Sequence, residues 1–270
     1  MRRLARGLLL IAVGAAPACA PRLMKLPTGP GAAASDTREI IAQATAACVG
    51  VRTLTAEIGV SGSVGGSRMR GRLIAGVAAP SSARIEAVAP FGQPVFIFTA
   101  KGDDATLLLP RDERVLEHGK PDQVLEAVAG VPLDAADLRR ALTGCPSAAD
   151  SGSGRMPESG DGADWRLVDD GPDTVYLHRD ARSGPWYVTA IVHRPQGRPE
   201  WRAEYRDVQN GLPRSVRLAG PPRFDLRLDL SQVETNVDLG DEAFRIEIPP
   251  STAPVTLQEL RDAGPLRDKK

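Results

Sequence analysis

Ala83-Arg84-Ile85-Glu86-Ala87-Val88-Ala89 runs into Pro90-Phe91-Gly92-Gln93-Pro94, then Val95-Phe96-Ile97-Phe98. After that come Lys101-Gly102-Asp103-Asp104 and a return from Ala105 to Leu109. The first run alternates apolar Ala83, Ile85 and Ala87 with charged Arg84 and Glu86, so one face is apolar and the other polar. Pro and Gly break the pairing, and Gly-Asp-Asp makes a turn. This is the pattern of antiparallel strands with a buried face. Val95 to Phe98 is apolar on both sides, so something must cover each face of the sheet there.

Strands extend outward from this stretch. Upstream, Leu54, Ala56, Ile58 and Val60 share a face. Gly62 to Gly66 reads as a loose turn. Met69, Gly71, Leu73, Ala75 and Val77 share the next face, opposite Arg68, Arg70 and Arg72. Downstream, strands are expected at Trp165–Val168, Thr174–Arg179, Trp186–His193, Trp201–Val208, Arg214–Leu218, Phe224–Val233 and Phe244–Ile248. Asn210-Gly211 marks a hairpin. Three helices interrupt the strands. Asp36 and Glu39 have capping-box spacing ahead of Ile40, Ile41, Ala44 and Ala47. Pro121 opens a second helix with Val124, Leu125 and Val128 on one face, stopped by Gly130. Asp134 caps a third, which carries Leu138, Ala141 and Leu142 and ends at Gly144-Cys145-Pro146.

The expected fold is mainly β with a few helices (α+β). It is a strongly curved antiparallel sheet forming an unclosed half-barrel, with short helices over its concave face. A small closed barrel leaves little room for helices inside. Residues 36–264 form one domain with a polar insert at 147–164, followed by a tail at 265–270.

The chain has 270 residues, 42% hydrophobic and 25% charged, with formal net charge zero. That balance is ordinary for a globular protein and gives no sign of nucleic-acid binding. Arg2, Arg3 and Arg6 precede the apolar run Leu8 to Val13, and small residues follow up to Cys19. This is a secretory signal over residues 1–18. Two readings of its cleavage stand. Ala16-Pro17-Ala18 fits ordinary export, leaving a soluble periplasmic protein. The same residues stand before Cys19 as they would in a lipobox, where Cys19 would carry lipid. Residues 19–35, rich in Pro, Gly and Ala, then form a flexible tether. Lipid on Cys19 would leave Cys48 and Cys145 as a pair. In an exported protein they can form a disulfide, worth about 4 to 5 kcal/mol in the chain-entropy model, or remain two buried thiols.

The ordered set of features resembles the LolA/LolB-like bacterial lipoprotein-localisation superfamily, most closely its lipid-anchored LolB-like branch. The set comprises the signal ending at a cysteine, the tether and helix, then Val51-Arg52-Thr53-Leu54-Thr55-Ala56. Ala89-Pro90-Phe91-Gly92-Gln93-Pro94 and the helix pair ending Leu142-Thr143-Gly144 follow. Asn210-Gly211-Leu212-Pro213 and Glu242-Ala243-Phe244-Arg245-Ile246 complete it. The resemblance implies an unclosed barrel whose helices cover a hydrophobic cavity for acyl chains of lipoproteins or other lipids. It implies a protein anchored by lipid at the periplasmic face of the outer membrane, partnered by a periplasmic carrier protein, with no cofactor. The chain differs from the well-studied carriers in its length, its polar insert and its cysteine pair.

Leu54, Ile58, Leu73, Ile85, Phe96, Phe98, Leu226 and Leu228 could line a lipid cavity or pack as core. Phe91, between Pro90 and Gly92, could be an apolar tip touching a membrane or could fold back on the core. Known hydrolase, P-loop and metal spacings are missing. Asp103-Asp104 and Asp169-Asp170 sit beside glycines as turn residues. His118, His178 and His193 have no evident partners. A non-enzymatic binding protein is expected, with an interaction or sensor module on the same fold as the alternative.

Overall fold

The computed structural model describes residues 23–89, 93–146, 154–158 and 162–264. Among them the strands are β1 (Ala32–Ala34), β2 (Thr53–Val64), β3 (Ser67–Ala78), β4 (Ser82–Val88), β5 (Phe96–Lys101), β6 (Asp104–Leu109), β7 (Arg114–Gly119), β8 (Gly154–Met156), β9 (Trp165–Asp170), β10 (Asp173–His178), β11 (Tyr187–His193), β12 (Trp201–Gln209), β13 (Leu212–Gly220), β14 (Phe224–Thr235) and β15 (Ala253–Pro254). The helices are α1 (Thr37–Thr45), α2 (Pro121–Ala129), α3 (Ala135–Thr143) and α4 (Leu257–Ala263).

All fifteen strands form one sheet, ordered β1-β8-β9-β10-β11-β12-β13-β14-β2-β3-β4-β5-β6-β7-β15. Neighbours are antiparallel except β15, which runs parallel to β7. The two ends do not meet, so the sheet is an unclosed, curved half-barrel. The opening stretch forms β4, β5 and β6, toward the β15 end of the sheet, while β14 lies at its centre. Ile85 lies opposite Phe98, and Phe98 opposite Leu107, so alternation continues across three strands. At Asn210-Gly211 both residues take positive φ (52° and 75°), the twist a two-residue hairpin needs between β12 and β13.

Helix α3 crosses the middle of the sheet, touching β13 on one side and β3 and β4 on the other; α2 sits over β6. Gly130 and Gly144 end α2 and α3 in the left-handed conformation, which costs a glycine nothing. Asp134 caps α3, its carboxylate accepting from the Asp137 amide at 2.8 Å. The capping box expected at Asp36 does not form. That carboxylate is instead held by the Arg166 guanidinium at 2.8 and 2.6 Å. A charged bidentate partner outcompetes a backbone amide, and Asp36 titrates below its ordinary value for that reason.

Val95 to Phe98 is covered on both faces, and the outer cover is the chain's own C-terminal part. No strand forms at Phe244–Ile248. Asp241–Phe244 makes a 3-10 turn that packs on β4 and β5. The Arg84 guanidinium donates to the carbonyls of Ala243 and Arg245 at 3.2 and 2.9 Å, pinning the segment through carbonyls a strand would have paired. Three other segments also differ from the sequence reading. Gly62 lies within β2 rather than in a turn, and the turn is Gly65-Gly66. Gly154–Met156, inside the polar insert, pairs with β1 and β9. The tether is docked in part, through β1 and through Met24. The Met24 amide donates to Glu204 at 2.8 Å, and its carbonyl accepts from Arg202 at 2.5 Å. Backbone pairing is indifferent to side-chain polarity, so alternation could not reveal these two additions.

Candidate functional site: an apolar cavity under the helices

Between α2, α3 and the sheet lies a cavity of about 650 Å³. Its floor is built by cross-strand rows. Leu218 of β13 pairs with Leu226 of β14, and Val216 with Leu228. Leu228 then pairs with Val60 of β2, and Val60 with Gly71 of β3. Its far wall is Leu73, Ile85 and Phe96, and its roof is Leu125, Val128 and Leu138 from the two helices. Among the described residues every lining residue is apolar except three arginines, Arg70, Arg72 and Arg111, all of them exposed.

The space exists for an identifiable reason. Gly71 stands at an inward register on β3, where a side chain would otherwise project into the interior. A Cβ built there meets no atom within 4 Å. A glycine inside a strand weakens it and often marks a place another group approaches. Here β3 also outruns its neighbour: β4 ends at Val88, opposite Arg72, so among the described residues Met69 to Gly71 pair only with β2. The cavity opens along that free length.

Of the eight residues expected at a cavity or core, Leu73, Ile85, Phe96, Leu226 and Leu228 line the cavity. Leu54, Ile58 and Phe98 are in the packed core, 1%, 2% and 0% exposed. Their strand rows lie where the sheet is filled. Phe91 and Cys19 fall outside the described residues. A disulfide joins Cys48, just after α1, to Cys145, just after α3, across 97 residues.

Beside the cavity, the same helix α3 carries a buried charged cluster that the sequence reading missed. The Arg140 guanidinium donates to Asp173 of β10 and to Asp137, each at 2.5 Å. His193 of β11 shares Asp173 through Nδ1 at 2.5 Å, and its ring stacks on Trp201 with centroids 5.0 Å apart. Tyr205 donates its hydroxyl to the Arg140 carbonyl at 3.1 Å. Asp137, Asp173 and His193 are almost entirely buried. His193 thus has partners, contrary to the sequence reading. They come from β10 and α3, distant in sequence, so no local pattern announces them. The one local signal was Asp137 and Arg140 on the buried side of α3, alongside Leu138 and Ala141.

Burial pushes the Asp137 carboxyl above its ordinary value, and repulsion from Asp134 adds to this. Arg140 and His193 oppose it. Burial alone would lower the Arg140 guanidinium, but Asp173 and Asp137 more than offset that and hold it above its usual value. The cluster fastens α3 to the sheet. Among the described residues no group of His, Cys, Asp and Glu could hold a metal ion. No helix there is long and apolar enough to cross a membrane.

No protein-family model matches the chain, and no curated protein matches its sequence. Solved structures do match in fold. A DUF1329 family protein from Desulfovibrio piger superposes with a TM-score of 0.52 at 12% identity, over 77% of this chain and 95% of that one. A LolA superfamily protein from Nitrosomonas europaea superposes with a TM-score of 0.50 at 11% identity, over 78% and 97%. The chain therefore has a LolA-type fold.

Proposed function

We propose that this protein is a non-enzymatic, lipid-anchored component of the bacterial envelope that binds acyl chains in the cavity under α2 and α3. Its process is lipoprotein localisation or the handling of a related lipid at the periplasmic face of the outer membrane. The observation that supports this most is the cavity itself: about 650 Å³, walled by apolar side chains and opened by Gly71. Single-ligand pockets range over about 300–1,000 Å³ and are mostly apolar. A methylene takes about as much space as a water molecule, about 30 Å³. The cavity therefore has room for about one long acyl chain. Binding would be driven by burial of apolar surface, about 25 cal/mol per Å². The LolA-type fold and the lipobox-like Cys19 add to the reading.

The test is titration of a fluorescent fatty-acid probe into the purified protein, alongside a Gly71→Phe variant. The wild type should bind the probe. The phenylalanine side chain would enter open space from a backbone any residue can adopt, so the variant should stay folded and lose most binding. Absence of binding by the wild type sinks the reading. Mass spectrometry of the mature N-terminus tests the anchor: an unmodified Cys19 would remove it.

A further inference from the structure

We propose that the cavity mouth recognises an anionic head on the bound chain, through Arg70, Arg72 and Arg111. This rests on the acyl-chain reading above and names the class of lipid that the same site takes.

Among the described residues the three arginines are the charged members of the cavity lining, and none of its members is acidic. Arg70 and Arg72 stand on the outward register of β3, at and beside the length that runs past the end of β4. Their long side chains can therefore turn toward the mouth from its edge. Arg111, in the turn between β6 and β7, approaches from the opposite side, where it reaches the Gln93 carbonyl at 3.4 Å.

Their lack of acidic partners sets them apart from three arginines of the sheet; Arg68 of β3 and Arg214 of β13 also lack one among the described residues, but neither lines the cavity. Arg84 pairs with Glu86, Arg217 with Asp225 and Arg227 with Asp229, on β4, β13 and β14. Among the described residues the side chains of Arg70 and Arg72 have neither a hydrogen bond nor an ion pair, and that of Arg111 has only the long contact to a neutral carbonyl. Uncompensated guanidinium groups around a low-dielectric cleft concentrate positive potential at its opening. Their planar forks suit carboxylate and phosphate oxygens. A single chain entering the cavity tail-first leaves its head at this rim. A carboxylate or phosphate head would be held there. The uncharged diacylglyceryl head of a lipoprotein would gain nothing from the arginines.

Calorimetric titration of the purified protein with dodecanoate, dodecyl phosphate and dodecan-1-ol tests this, since the three share one tail. Both anions should bind about tenfold more tightly than the alcohol, the sum expected of three modest, partly exposed contacts. The larger anion preference then identifies the head as carboxylate or phosphate. The preference should shrink as salt rises, as exposed charges are screened. Replacing Arg70, Arg72 and Arg111 together by Gln should abolish it and leave alcohol binding unchanged. Gly71→Phe should instead weaken all three ligands alike. Equal affinities for anions and alcohol in the wild type, or a preference that survives in the triple variant, would overturn the anionic head and leave the acyl-chain reading standing. Failure of all three to bind would overturn both.

Discussion

Helix α3 has two surroundings, and they are built on opposite principles. Toward the cavity it presents Leu138 above empty space. One residue before it and two residues after it, Asp137 and Arg140 enter a buried network with Asp173 and His193. Apolar packing is non-directional and works by filling volume. Where volume is left open, a helix loses contacts beneath it and needs another hold. The charged cluster, the capped N-terminus at Asp134 and the disulfide at Cys145 supply that hold from the side and the ends. A roof can stand over a hollow when directional bonds anchor its flank.

The largest test breaks the flank. Asp173→Ala would remove one of the two carboxylates that hold the buried Arg140 guanidinium, together with the partner of His193 Nδ1, and should cost about 3–5 kcal/mol, read from urea unfolding. Replacing Asp137, Arg140 and Asp173 together by apolar residues of similar volume should cost much less, because the mutually paired charges are removed as a set. If the single and triple changes were equally costly, the cluster would not be what holds α3.

Truncations on the two kinds of apolar site sharpen the contrast. Leu54→Ala in the filled core should cost up to about 5 kcal/mol, since it opens a new void. Leu226→Ala, beside space that is already empty, should cost about 2–3 kcal/mol, little more than the lost transfer energy. Equal costs would mean that the space is closed in solution.

The smallest expected effect is one of pH. The folded Asp137 carboxyl titrates above its ordinary value of 3.8. Between those two values the folded state binds more protons than the unfolded one, so this group's contribution to stability falls as pH rises through the window. Asp134, Arg140, His193 and Arg198 are the charged or titratable groups around it. Asp36, lowered by Arg166, works in the opposite direction: its contribution is present above 3.8 and is lost as pH falls through its depressed value. Subtracting the stability curve of Asp137→Asn from that of the wild type isolates the first effect. The difference should decline as pH rises through the window, and a difference that rises would contradict the burial of Asp137 as an unfavourable charge.

Most strands were legible because alternation reports which face is wet. Ile85, Phe98 and Leu107 fell on one face by period alone, and the helix ends followed from Pro121, Gly130, Asp134 and Gly144. Two kinds of feature were not legible. Phe244–Ile248 alternates as a strand does, yet the carbonyls of Ala243 and Arg245 are taken by Arg84 and no strand forms there. The short pairings of Ala32–Ala34 and Gly154–Met156 are made by backbone bonds, with the Arg155–Asp169 ion pair beside them. In the site, five of eight expected residues reached the cavity, and three went to the core because their rows lie where the sheet is filled.

The sequence by itself determined the periodicities, the turn and cap positions, the apolar identity of the inner face and the glycine at position 71. These depend on local backbone preference and on the face each residue shows, which neighbours in the chain specify. The tertiary structure decided that the inner face is partly unfilled, that Arg140 meets Asp173 and His193, and that three arginines gather at one opening. Volume left over, and charges brought together, are properties of strands and helices far apart in the chain. They exist only once the sheet has curved and the helices have been set across it.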